Sequence, residues 1–241
     1  MRVLNPRPSR QAQPLSEALR GVGHDVIELP LLAIERLALD TAARAQILAL
    51  DRYDGVIFVS ANAARYGVAA VSDYWPQWPS PLPCVAVGMA TAAVLEAEGL
   101  RVHIAAQEDS EGMLALPILQ EVAGQRWLIC RGEDGRELLP STLRERGAEV
   151  ETLALYKRFL PDTARVEWLD CFPRPEVVLL SSAMIWRHWQ QIAGSEAIAP
   201  WLVTVSSRLA DTVRAAGAKR VICADGAQPK YWLAALAQLP Q

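Results

Sequence analysis

Long apolar runs are missing from this chain of 241 residues. None approaches the ~20 consecutive apolar residues that a membrane-spanning helix needs. Cysteine is scarce: Cys84, Cys130, Cys171 and Cys223 stand far apart, with no C-x-x-C pair. Three of the four fall in or beside apolar strand-like runs, where buried, reduced thiols are expected. His24, His103 and His188 are equally scattered, which argues against a zinc set. No G-x-G-x-x-G follows the first strand-like run and no Walker A motif occurs, so nucleotide binding lacks a motif. No G-x-S-x-G elbow or Ser/His/Asp arrangement can be assembled either. A formal net charge of -3 is too small to attract nucleic acid or an acidic membrane. The N-terminus opens on a strand-like run without an apolar h-region, so no signal peptide is expected and a reduced, cytoplasmic setting follows.

What the chain does have is a repeat. Arg7, Leu15, Leu19, Gly23, Val26 and Leu29 recur as Arg131, Leu139, Leu143, Gly147, Val150 and Leu153. The run Val85–Ala92 with Gly99 returns as Val203–Ala210 with Gly217, and Val56–Ser60 is echoed by Val177–Ser181. Each copy is an apolar run, a small or polar turn and an amphipathic helix pattern ending in Gly, which is the βα unit of a parallel sheet. Two similar doubly wound α/β domains are therefore expected, with a ligand cleft between them.

Strands are predicted near Arg2–Leu4, Val26–Ile34, Val56–Val59, Cys84–Val87, Val102–Ile104, Trp127–Cys130, Val150–Leu153, Val177–Leu180, Leu202–Val205 and Arg220–Cys223. Helices alternate with them, among others near Arg44–Leu50 and Gly112–Val122. The stretch from Val177 supplies only three strands, and the first two strands of the chain complete a set of five. The expected organisation is a discontinuous domain of residues 1–33 plus 163–241 and an inserted domain of residues 40–150, although a plain tandem arrangement would use the same repeats. Extended linkers at 29–39 and 151–162 would join them.

Ligands of open parallel sheets bind beyond the carboxyl ends of the strands. There the turns Ser60-Ala61-Asn62, Gly88 to Thr91, Ser110-Glu111-Gly112, Ser181-Ser182 and Ser206-Ser207 offer hydroxyls and helix N-terminal N–H groups. Such groups suit anions, and equally they are ordinary helix caps. Arg131 and Gly132 open the distinctive segment Arg131-Gly-Glu-Asp-Gly-Arg-Glu137. Arg7 and Arg131 either add charge to a site or buttress equivalent turns. Tyr156 follows a strand in Leu155-Tyr-Lys-Arg158 and offers a phenol for hydrogen bonding or proton transfer. The loop Trp75–Trp78 is read as packing or surface anchoring.

In order and spacing these residues resemble the uroporphyrinogen-III synthase family. The resemblance rests on Arg7-Pro8, Phe58-Val-Ser-Ala-Asn-Ala63, Val87-Gly-Met-Ala-Thr-Ala92, Ser110-Glu-Gly112 with Leu114, Arg131–Glu137 and Tyr156-Lys-Arg158. The chain departs where the family commonly has Thr-Arg-Pro (here Asn5 to Pro8), Phe-Thr-Ser (here Phe58-Val59-Ser60) and a second-domain Thr-Ser (here read as Leu180-Ser181). The resemblance implies two flavodoxin-like domains, one discontinuous, and a cofactor-free cyclase acting on hydroxymethylbilane. It implies that Tyr156 assists departure of the substrate hydroxyl. Carboxylate binding then falls to Arg7, Ser60, Ala61, Asn62, Gly88, Thr91, Ser110, Glu111, Gly112, Arg131, Gly132, Ser181, Ser182, Ser206 and Ser207. A monomer is implied, with transient contact to the upstream bilane-forming deaminase as the candidate partnership. Two competing readings remain at this level: a cytoplasmic two-lobed ligand-binding or sensor protein without catalysis, and a scaffold that uses its Trp-rich loop.

Overall fold

Short apolar runs and amphipathic helices alternate along the whole chain in the computed structural model, which describes residues 1–240. The order begins β1 (Arg2–Asn5), α1 (Ser9–Gly21), β2 (Asp25–Glu28), β3 (Ala33–Arg36), α2 (Thr41–Leu48), β4 (Gly55–Phe58) and α3 (Ala61–Ser72). It continues with β5 (Cys84–Ala86), α4 (Met89–Glu96), β6 (Val102–Ile104), α5 (Ser110–Leu114), β7 (Arg126–Gly132), α6 (Leu138–Glu145) and β8 (Glu149–Phe159). The last third is α7 (Thr163–Asp170), β9 (Val177–Leu180), α8 (Ala183–Ala193), β10 (Trp201–Thr204), α9 (Ser207–Ala215), β11 (Val221–Cys223) and α10 (Pro229–Leu236). Two compact units divide the chain: Met1–Ile34 together with everything from Phe159 onward, and Glu35–Arg158. No helix among the described residues is long and apolar enough to cross a membrane.

The first unit holds a five-stranded sheet in the order β2-β1-β9-β10-β11, and the second a six-stranded sheet in the order β3-β8-β7-β4-β5-β6. Val177 to Leu180 shows why parallel pairing suits these strands: all four residues of β9 are buried. Apolar residues are needed on both faces when helices cover both. Leu4, Val178, Leu180 and Leu202 pack on one side with Trp186 and Trp189 of α8, while Val3, Val177, Leu179 and Val203 pack on the other with Leu15, Leu19 and Trp232.

Register relates the two sheets strand by strand. In the first unit β1 places Val3 opposite Val177 of β9; in the second, β7 places Trp127 opposite Gly55 of β4. Leu139, Leu143, Ile57 and Val85 then pack around Trp127 as Leu15, Leu19, Leu179 and Val203 pack around Val3. The same fold is thus entered at different points, so that one unit is a circular permutation of the other. The corresponding helices α1 and α6 are each followed by a glycine of positive φ (Gly23 at 85°, Gly147 at 88°), a conformation that only glycine adopts cheaply.

This register corrects one part of the repeat. Gly55, not Val56, corresponds to Val177, and Ser60 corresponds to Ser182 rather than Ser181. Both serines are helix N-caps with nearly identical backbones (φ -169°, ψ 160° and φ -163°, ψ 160°). Ser181-Ser182 therefore stands where Val59-Ser60 stands, and Leu180 is a buried strand residue like Phe58.

Other elements differ from expectation for local reasons. The helix expected over Gly112–Val122 is broken into α5 and a 3-10 turn at Pro117–Leu119, with Leu116 extended ahead of the proline. The extended run from Val26 ends at Glu28 before Pro30, and Ala33–Arg36 forms a separate strand beside β8. The helix expected over Arg44–Leu50 begins earlier, because Asp40 caps Ala43 N–H at 2.7 Å, and it passes into a 3-10 turn at Leu50. Helix α7 was not expected, since only Ala164 and Trp168 turn inward. Cys84 and Cys130 are buried, and burial pushes the Cys84 thiol up to about 12. Cys223, on the terminal strand of its sheet, is exposed rather than buried.

Two measurements check this packing. A Cβ on Gly55 would lie 2.3 Å from the Trp127 ring. Gly55→Ala is expected to destabilise by about 1–3 kcal/mol through overpacking, read as a lower urea midpoint. The Glu151 carboxylate accepts bonds from Arg126 Nε (3.1 Å), Tyr53 Oη (2.9 Å) and Gln46 Nε2 (3.0 Å). Burial opposes its ionisation, but these bonds and the Arg126 charge together hold its pKa below the ordinary 4.5. Ionised Glu151 thus favours folding above that value, and the contribution is lost as pH falls through the lower folded-state pKa. Glu151→Gln should flatten the acid limb of a urea-midpoint-against-pH curve, whereas an unchanged limb would place the pH dependence elsewhere.

Candidate active site

An irregularity in β8 builds the centre of the second unit. Arg131 of β7 lies opposite Ala154, but Gly132 lies opposite Tyr156, so β8 carries one extra residue, Leu155, at a bulge. Burial records the slip: Leu153 and Leu155 are buried around an exposed Ala154, and then Tyr156 is buried as well. Bulges re-aim side chains in this way. The Tyr156 ring lies against Gly132, where an added Cβ would sit 2.8 Å from ring carbons. Glu133 N–H donates to the Tyr156 carbonyl at 2.9 Å and fixes the turn that follows β7.

The Tyr156 hydroxyl has two partners. Ser60 Oγ, at the carboxyl end of β4, lies 3.0 Å away, and Arg158 Nη2 donates to the phenol oxygen at 3.1 Å. Ser60 also accepts Ala63 N–H at 3.0 Å as the N-cap of α3. Beside this group lies a cavity of about 360 Å³ bounded by the ends of β4, β5 and β7 and the starts of α5 and α6, with Ser110, Arg131, Asp134, Arg136 and Arg158 in its wall. A recess of about 40 Å³ adjoins Gly132, Tyr156 and Arg158. Val59, where the resembled family commonly has threonine, lines both.

Four of the sequence-derived candidates thus border these two spaces: Ser110 and Arg131 the larger, Gly132 and Tyr156 the smaller. Ser60 joins them through the Tyr156 hydroxyl. Ala61 and Asn62 begin α3 but line neither. The Thr91 side chain is buried, so its hydroxyl is withdrawn from solvent. Gly88 caps α4, and the Glu108 carboxylate accepts the first N–H of that helix, from Met89 at 3.1 Å. Asp109 rather than Ser110 is the N-cap of α5, accepting Gly112 N–H at 2.7 Å; Glu111 is exposed. A Cβ on Gly112 would meet the Gln107 carbonyl at 2.1 Å, which explains glycine there. In the first unit Ser182 and Ser206 cap α8 and α9, with Ser181 and Ser207 beside them. Arg7 donates to the Ala227 carbonyl at 2.9 Å and lies over the Trp232 ring. Glu108, Asp134, Arg136 and Arg158 were not singled out from sequence. Among the described residues no group of three His, Cys, Asp or Glu side chains could hold a metal ion.

Arg131 is 7 % exposed, and its guanidinium serves its own turn. It donates to Glu137 at 2.8 Å and to the carbonyl of Gly135. Arg131→Met is expected to lower the unfolding free energy by about 1–3 kcal/mol, because a partly buried carbonyl loses its donor. An unchanged urea midpoint would show that something else holds the turn.

Comparison with known proteins agrees with this fold. The family model described as uroporphyrinogen-III synthase HemD matches residues 13–234. The uroporphyrinogen-III synthase of Salmonella typhimurium is 32% identical over 246 residues, covering 98% of this chain and all of that protein. That of Escherichia coli is 30% identical over 251 residues, with 98% and 100% covered. A crystal structure of a mutant uroporphyrinogen III synthase from Thermus thermophilus superposes with a TM-score of 0.72 at 18% identity, covering 99% of this chain and 100% of that one. The sequence matches span nearly the full length and the fold is shared, so this chain belongs to the uroporphyrinogen-III synthase family.

Proposed function

We propose that this enzyme of tetrapyrrole biosynthesis cyclises hydroxymethylbilane to uroporphyrinogen III, with Tyr156 assisting loss of the substrate hydroxyl. Family membership favours this over the sensor and scaffold readings. The observation that carries the role of Tyr156 is its phenol, held between Ser60 and Arg158 beside the cavity at the carboxyl end of the sheet. The reaction needs the C–O bond of the hydroxymethyl group to break with the electron pair leaving on oxygen. A proton from the phenol makes the leaving group water and leaves an electrophilic azafulvenium cation. Ring D attacks through its substituted carbon, a spiro intermediate forms, and fragmentation with reclosure inverts the ring. The macrocycle sheds one proton on reclosure, which restores the phenol. The sum is loss of one water with no change of oxidation state, so the chemistry calls for no redox cofactor.

Closure without inversion is the spontaneous route, so the catalyst's main task is to hold a flexible polycarboxylate in the uncommon geometry. Arg136, Ser110 and the first N–H groups of α6 suit carboxylates at the cavity in the second unit. Ser181, Ser182, Ser206, Ser207 and Arg7 are the carboxylate-binding candidates of the first unit. The serine side chains act mainly as caps that orient backbone donors, and Thr91 acts through packing rather than its hydroxyl. A cytoplasmic monomer that receives the unstable bilane by transient contact with the deaminase completes the proposal.

The test is a coupled assay in which hydroxymethylbilane is generated in situ and the oxidised uroporphyrin isomers are separated. Type III should dominate with the protein present; type I alone, from folded protein and fresh substrate, would overturn the assignment. Tyr156→Phe should slow formation of type III about 10- to 100-fold without abolishing it, and an unchanged rate removes Tyr156 from the mechanism.

A further inference from the structure

Arg158 is placed by the same strand that presents Tyr156, two residues further on, and its side chain returns to the phenol. Nη2 lies 3.1 Å from the Tyr156 oxygen, and the guanidinium carbon is 5.5 Å from the centre of the ring. The side chain borders both the larger cavity and the recess. A guanidinium has donors only, so the phenol oxygen must act as acceptor toward it. Ser60 Oγ and the phenol oxygen are 3.0 Å apart and either can donate; Ser60, which also accepts Ala63 N–H, carries a hydrogen of its own to give. When Ser60 donates, the lone pairs of the phenol are occupied and its hydrogen is the group left to point elsewhere.

We propose that Arg158 is a positioning residue for the cyclisation, holding the Tyr156 oxygen as acceptor so that the phenol hydrogen is directed to the departing hydroxyl of the substrate. As the O–H bond of Tyr156 breaks, the electron pair stays on an oxygen that faces the exposed Arg158 guanidinium and the Ser60 hydroxyl. The proton leaves in the water molecule and is replaced by the one shed when the macrocycle recloses. Preorganised donors of this kind act on charge that develops during the reaction. Glu133 and Asp134, from the turn after β7, border the same recess. They leave Arg158 as the cation bonded to the phenol oxygen. The alternative use of Arg158 is as a direct partner for a substrate carboxylate, and the two uses predict different kinetics.

The inference rests on Tyr156 as the proton donor, and a double-mutant cycle separates the two ideas. Initial rates of type III formation are measured for the wild type, Tyr156→Phe, Arg158→Met and the double variant. Arg158→Met should lower kcat about 10-fold with KM changed less than about 2-fold, and Arg158→Lys should recover kcat to within about 3-fold of wild type. On the Tyr156→Phe background, Arg158→Met should cost less than about 2-fold, because the group it positions is gone. A full 10-fold loss on that background, or a rise in KM alone, overturns the proposal in favour of direct carboxylate binding. A wild-type kcat for Arg158→Met beside an impaired Tyr156→Phe overturns it while leaving Tyr156 in place. An unimpaired Tyr156→Phe overturns the donor reading itself. Arg158→Gln, which keeps a neutral donor, takes the place of the methionine variant if that protein does not fold. It is expected to lower kcat below that of Arg158→Lys, and a wild-type kcat for it overturns the proposal.

Discussion

One extra residue in β8 sets where Tyr156 stands in the second unit. Without it, strand alternation would set Leu155 opposite Gly132 and carry Tyr156 to the other face of the sheet. With it, the phenol arrives over a glycine that has no side chain to displace it, within reach of the N-cap of a helix two strands away. Arg158, two residues further along the same strand, returns its guanidinium to the phenol. The arrangement depends on the pairing of β8, β7 and β4.

The helix N-termini around the sheets have a narrower role than their number suggests. Ser60, Ser182, Ser206 and Asp109 each satisfy an N–H of their own helix, and Glu108 satisfies the first N–H of α4. A serine hydroxyl engaged as acceptor keeps its own hydrogen for a carboxylate, whereas the Asp109 and Glu108 carboxylates have none to give. Beside them stand the dipole and the remaining first-turn donors, which fall off within a turn. Placement of the turns therefore matters alongside their hydroxyls. Val59, where the resembled family commonly has threonine, lines the cavity without a hydroxyl.

Period and repetition made both sheets legible, since each strand face is determined by alternating residues and each helix by an apolar stripe. Tyr156 was legible too, standing at the end of a strand pattern. The bulge was not, because one slipped residue changes no composition and becomes visible only once the faces are known. Helix α7 escaped for the opposite reason: Val166 and Leu169 are apolar yet exposed, which blurs its periodicity. Arg158 and Glu108 act through long, freely rotating side chains, whose destinations no spacing rule describes. The burial of Thr91 was not legible, because its position in a turn motif says nothing of it.

A chain that contains the same sheet twice carries a hazard during its own folding, since β1 and β7 could each seek the other's neighbour. The central pairs are shaped against that exchange. Trp127 beside Val177 would overfill a site built for two valines, while Val3 beside Gly55 would leave the space of an indole empty. Either error penalises both sheets at once. Unequal division of volume between two otherwise equivalent strand pairs thus disfavours the exchange, through a glycine and a tryptophan that face each other across β4 and β7.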